Sequence, residues 1–210
     1  LKKELLSQRY LHIDETHVQV LNEPGRKNTT DSYMWVYCSI KNAGNPVRYF
    51  EYQPGRGGKY PEEFLKDYTG YIHTDAYSGY NGVKGVTRCL CYTHLRRSFV
   101  DALPKDVRSD EASKPAEAVL RLNKLFDIEA ELEQLAPEER KDQRILREKK
   151  LLEDFWSWAE KNAVNVLPKS KLSTAFHYAL NNRQEFFNYL EDGNCSISNS
   201  LAENCIRPFV

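Results

Sequence analysis

The chain has 210 residues, 40% hydrophobic and 12% aromatic, and its 30 basic and 30 acidic side chains leave no net charge. That is enough apolar material for the core of one large domain, or of a domain carrying an insertion, and no apolar run approaches the roughly 20 residues a membrane span needs. The opening LKKELLSQRY lacks the apolar stretch and cleavage site of a signal peptide and reads as the tail of a longer helix, so a fragment is expected.

Residues 10–21, YLHIDETHVQVL, read as a strand, with Ile13, Val18, Val20 and Leu21 as strand formers. Side chains alternate between the faces of a sheet, so Asp14 and Glu15 point to opposite sides. A carboxylate held in the packed layer needs an ion pair, hydrogen bonds or a metal. Turn-rich NEPGRKNTTDS leads to a second strand at 33–41 (YMWVYCSIK), and another turn leads to a third at 47–52 (VRYFEY). Short polar turns make these three an antiparallel meander. The loop PGRGGKYP opens a helix at 61–68.

A fourth strand at 71–76 (YIHTDA) carries Asp75, a Gly-rich link at 79–85 contains one helical turn, and residues 87–92 (TRCLCY) form a fifth strand ahead of a helix at 95–103. Strands followed by crossover helices imply parallel pairing in this half. The expected class is α/β, a mixed five-stranded sheet with flanking helices. Helical periodicity takes over at 104–170, where Pro137 starts a second helix running to about residue 166. This reads as a helical hairpin inserted between a first core segment, 1–103, and a last one, 171–210. The last segment holds an amphipathic helix at 171–191 and a short helix that Asn199 or Ser200 can cap, containing Glu203.

Three acids are candidates for chemistry: Asp14 within strand one, Asp75 near the end of strand four, and Glu203 near a helix start. If strands one and four are neighbours, the two aspartates meet at the sheet, and a late helix crossing there brings Glu203 beside them. Three carboxylates with open positions suit Mg²⁺ or Mn²⁺, and two such ions serve in-line phosphoryl displacement. The plain alternative for each acid is a cap or an ion pair.

The stretches HIDETHVQVL, YQPGRGGKYPEEFL, GYIHTDAYSGYN, CYTHLRRSF, LPKSKLSTAFHYALNN and EDGNCSISNSLAENCIRPF follow one another in order over nearly the whole chain. In this it resembles the DDE-type bacterial transposases of the insertion sequence sixty-six family. The resemblance implies a ribonuclease-H-like core, Mg²⁺-dependent DNA cleavage and strand transfer, and a triad of Asp14, Asp75 and Glu203. It implies DNA ends and target as partners, an active complex that is a homodimer or larger, and a bacterial cytoplasmic setting. A ribonuclease-H-like nuclease without strand transfer and a decayed DNA-binding remnant are the alternatives. The family pattern has Arg after the final Glu, where this chain has Asn204, and a second Asn where it has Ser200 and Leu201.

Cys91-x-x-His94, with Cys89 before it, is half of a zinc site without a second pair at matching spacing. The resemblance instead implies a Cys-x-x-His whose His94 lies near the scissile phosphate. Arg96 and Arg97 follow on the helix, where neighbours do not share a face, so one faces phosphate and the other solvent. Arg207, one turn after Glu203, can steady that carboxylate or grip DNA. His12 shares a strand face with Asp14 and is either a supporting residue or a core histidine. GRGGK lacks the ending of a nucleotide-binding loop and reads as a flexible turn. The five cysteines (Cys38, Cys89, Cys91, Cys195, Cys205) are odd in number and scattered, which fits a reducing cytosol better than a disulfide framework.

Overall fold

The computed structural model of the chain describes residues 1–40, 42–104 and 113–209. Lys41, expected to end the second strand, and residues 105–112 of the expected insertion lie outside them. The packing separates two compact units, Leu1–Arg88 with Ser198–Val210, and Cys89–Ile197.

In the first unit, α1 (Lys2–Leu6) precedes three strands, β1 (Tyr10–Gln19), β2 (Asp31–Ser39) and β3 (Arg48–Gln53). They pair antiparallel as the meander predicts, with Asp14 opposite Val36 and Trp35 opposite Glu51. Helix α2 (Lys59–Phe64) then leads to β4 (Gly70–Thr74), a 3₁₀ turn (Ser78–Tyr80) and β5 (Val86–Leu90), which begins in this unit. The sheet order is β3-β2-β1-β4-β5, and β4 lies parallel to β1. Expected strand four reached residue 76, but β4 stops at Thr74, so Asp75 sits just beyond the strand end.

Alternation along β1 and β2 builds a layer on each face of the sheet. Leu11, Ile13, Trp35 and Tyr37 turn to one side and pack with Leu5, Phe64, Leu65 and Tyr80. Tyr37 and Phe64 stack with centroids 3.5 Å apart. Val36 and Cys38 turn to the other side, where Ala202 and Ile206 of α9 (the Ser200–Ile206 helix; α3–α8 lie between) cover them. Truncating a side chain as buried as Trp35 or Phe64 to Ala costs about 3–5 kcal/mol.

The second unit is helical: α3 (Tyr92–Val100), α4 (Lys114–Leu132), α5 (Pro137–Arg147), α6 (Lys149–Ala163), α7 (Lys171–Asn181) and α8 (Arg183–Phe187). Helix α3 packs on α4 and α7, and α6 packs on α7. Tyr92, Trp156, Phe186 and Tyr189 form an aromatic cluster at its centre.

Two helices expected to be continuous are broken. The one beginning at Pro137 divides at Glu148, which is fully buried and takes a 2.6 Å hydrogen bond from the Tyr189 hydroxyl. Beside it the buried Arg144 guanidinium meets both oxygens of Glu129 at 2.6 and 2.8 Å. The expected hairpin is therefore three helices, because a buried acid must reach its partner and helical periodicity does not register that demand. The helix at 171–191 divides at Asn182, whose side-chain amide donates to the Tyr178 carbonyl at 2.7 Å and competes with the backbone ladder. Its last turn is 3₁₀, Asn188–Glu191.

Candidate active site

The parallel pairing of β1 with β4 places His12 opposite His73, and the two rings stack 5.0 Å apart. Asp14 and Asp75 each lie two residues further along, Asp14 still within β1 and Asp75 just past the end of β4. Asp14 belongs to the face covered by α9, since its cross-strand partner is Val36. Burial foremost, then the negative charges of Glu15, Asp75 and Glu203, push the Asp14 carboxyl up to about 7, against a 3.0 Å hydrogen bond from the Glu15 amide. Asp75 and Glu203 are thus both within electrostatic reach of Asp14. Glu203 lies in the first turn of α9 and is half-buried.

Residues not foreseen as part of the site fix this arrangement. Asn199 was expected only as a helix cap, yet its side chain makes no cap bond. Fully buried, its Oδ1 accepts from His12 Nδ1 at 3.0 Å and its Nδ2 donates to the Ile13 carbonyl at 2.8 Å. It therefore ties the start of α9 to the strand segment carrying Asp14. Burial lowers the pKa of His12 to about 4, so at neutral pH it is an uncharged ring held by Asn199.

Arg88 does the equivalent work for Asp75. Its Nη2 donates to the Asp75 carbonyl at 2.6 Å and to the Tyr77 carbonyl at 2.9 Å, and its Nε donates to Thr74 Oγ1 at 2.8 Å. The Asp75 carboxylate accepts from the Tyr77 amide at 2.9 Å, an Asx turn that aims the side chain. Nothing in the local sequence around Arg88 announces this, because its partners are a strand end and a turn.

Glu15, on the opposite face from Asp14, is an ion-pair acid. Its side chain is 1% exposed; Arg56 meets Oε1 through Nη2 at 2.7 Å and Nε at 2.8 Å, and the Tyr80 hydroxyl donates to Oε2 at 2.5 Å.

The remaining sequence candidates are distributed between the units. Arg207 is exposed in the 3₁₀ turn Arg207–Phe209. In the second unit, buried Cys91 is the N-cap of α3 and partly buried His94 lies in its first turn. Arg96 donates to Asn123 at 2.7 Å, while Arg97 is exposed, so the two do face different surroundings. All five cysteines are free thiols.

Chemically, Asp14, Asp75 and Glu203 offer carboxylate oxygens, the hard donor type that divalent cations such as Mg²⁺ take.

Comparison with known proteins places this chain in a family. The Transposase IS66 family model matches residues 1–210. Two curated relatives from Sinorhizobium fredii, both named as uncharacterized proteins, are similar: y4hP is 27% identical over 94% of this chain and 39% of its own length, and y4qI is 25% identical over 93% and 38%. The chain thus spans about two fifths of the length of the curated relatives it matches. No solved structure matches it. Among the described residues, no helix is long and apolar enough to cross a membrane. The chain belongs to the IS66 family of transposases.

Proposed function

We propose that the chain carries the catalytic centre of a DDE-type DNA transposase on a ribonuclease-H-like core, with Asp14, Asp75 and Glu203 as the ligands of Mg²⁺, replaceable by Mn²⁺. The observation that supports the reading is the β1–β4 register, in which Asp14 and Asp75 each follow the paired His12 and His73 by two residues, together with the charge of Asp75 and Glu203 felt by the Asp14 carboxyl. The order β3-β2-β1-β4-β5, antiparallel through the first three strands and parallel from β1 to β4, supports the core assignment.

Asp14, Asp75 and Glu203 would hold the ions, which when bound would supply activation of the attacking oxygen and stabilisation of the leaving oxygen in an in-line phosphodiester displacement. The chain's own residues supply the rest. Asp14 would bind as the carboxylate, Asn199 keeps α9 against β1, and Arg88 fixes the Asp75 turn. Water attacks in the cleavage step and a DNA 3′-hydroxyl in strand transfer. Exposed Arg97 and Arg207 are proposed phosphate contacts, Arg96 and His12 positioning residues, and His94 a group beside the scissile phosphate. The active assembly is proposed to be a homodimer or larger on DNA in the bacterial cytoplasm.

The test is nicking and joining of labelled transposon-end DNA in Mg²⁺. Wild type is expected to nick the substrate and to join pre-cleaved ends to target, and Asp75→Asn to do neither while keeping its fold. Undiminished nicking by Asp75→Asn would remove the triad, and nicking without joining would leave a hydrolytic nuclease.

A further inference from the structure

The GRGGK stretch, read from sequence as a flexible turn, has a defined place in the first unit. A Cβ on Gly58 would stand 2.6 Å from the Gly79 carbonyl oxygen, so only glycine lets this loop lie against the 3₁₀ turn that follows Asp75. The loop thereby delivers Arg56 to the same end of the sheet as the acid cluster. Both the side chain and the main chain of Arg56 are held. Its Nε and Nη2 share one oxygen of Glu15, its guanidinium lies 4.0 Å over the Tyr77 ring, and the Tyr77 hydroxyl donates to its carbonyl at 2.7 Å. Tyr77 is also the residue whose amide binds the Asp75 carboxylate. Charge from Asp75 reaches both Glu15 and Arg56.

A counter-ion role alone does not account for this clamp. Glu15 is buried, but the Arg56 side chain stays 42% exposed, and among the described residues its Nη1 meets no acceptor. The inner edge of the guanidinium is occupied and the outer edge is presented, planar and immobilised. That is the donor geometry for a phosphate oxygen pair, and immobilisation lowers the ordering cost of binding it.

We propose that Arg56 is a preorganised contact for the DNA backbone, gripping a phosphate beside the acid cluster so that the strand lies across Asp75. The inference rests on the reading of that cluster as a DNA-cleaving centre. Binding is therefore measured in EDTA, where no cutting occurs, as anisotropy of a short labelled duplex over a range of salt concentrations. Removing Arg56 alone would strand the buried Glu15 charge, so the informative variant is Glu15→Gln/Arg56→Gln, with Arg56→Lys as the conservative partner. Thermal melts establish that both are folded.

The double variant is expected to bind about tenfold more weakly, with a log K against log salt slope shallower by about 0.9, the signature of one lost phosphate contact. Arg56→Lys keeps the charge and is expected to keep the slope while losing part of the affinity. Wild-type affinity and slope in the double variant would overturn the inference. So would a slope lost equally in Arg56→Lys, or no salt-dependent binding by wild type. Failure of the triad shows instead in the nicking assay with Asp75→Asn, so the two can fail separately.

Discussion

Asp14 illustrates how far one side chain's behaviour depends on its neighbours. Its folded pKa, about 7, lies above its ordinary 3.8, so between those values the folded protein binds more protons than the unfolded chain. Stability therefore falls as pH rises through that window and the deficit is complete above it. In EDTA at pH 8, Asp14→Asn is expected to raise unfolding stability on the order of 2–4 kcal/mol while abolishing Mg²⁺-dependent nicking, and to change stability little at pH 4. Denaturant melts at the two pH values check this. Asn199→Ala makes the opposite case, because it leaves a buried His12 nitrogen and the Ile13 carbonyl short of partners. A loss of about 2–4 kcal/mol is expected by urea unfolding, together with slower nicking as Glu203 loosens. From sequence, alternation separated Asp14 from Glu15 but could not say which faced the chemistry; the family resemblance made that choice. Asn199 looked like a cap because Asn before a short helix usually is one, and its real partners lie far away in the sequence.

At the scale of elements, the strands were legible to within a few residues because β-branched and aromatic runs between polar turns leave little alternative. The helical breaks were not. Residues 137–166 have a continuous amphipathic pattern, and the break at Glu148 comes from Tyr189, about 40 residues downstream. Burial, followed by the charge of Glu129, raises the Glu148 carboxyl to about 8 from an ordinary 4.5. By the sign used for Asp14, it erodes stability as pH climbs from about 4.5 to 8. Glu148→Gln is expected to flatten the melting temperature over that range, and the gain at the alkaline end to be on the order of a few kcal/mol. Arg144→Met, which leaves the partly buried Glu129 without its guanidinium, is expected to cost about 3 kcal/mol by denaturant unfolding. The glycine-rich loop is the other element whose meaning was hidden. Its spacing argued against a nucleotide loop, and the close approach of Gly58 to the Gly79 carbonyl explains the glycine at that position.

For the molecule as a whole, the neutral total charge says little about partners, because a net sum does not register where individual charges cluster. The central claim is that Asp14, Asp75 and Glu203 form one metal site. Anomalous diffraction from crystals soaked in Mn²⁺ tests it most directly. The account predicts peaks about 2.0–2.3 Å from carboxylate oxygens of all three residues; well-ordered carboxylates with no peak between them, or Glu203 turned away from a peak held by the aspartates alone, would contradict it.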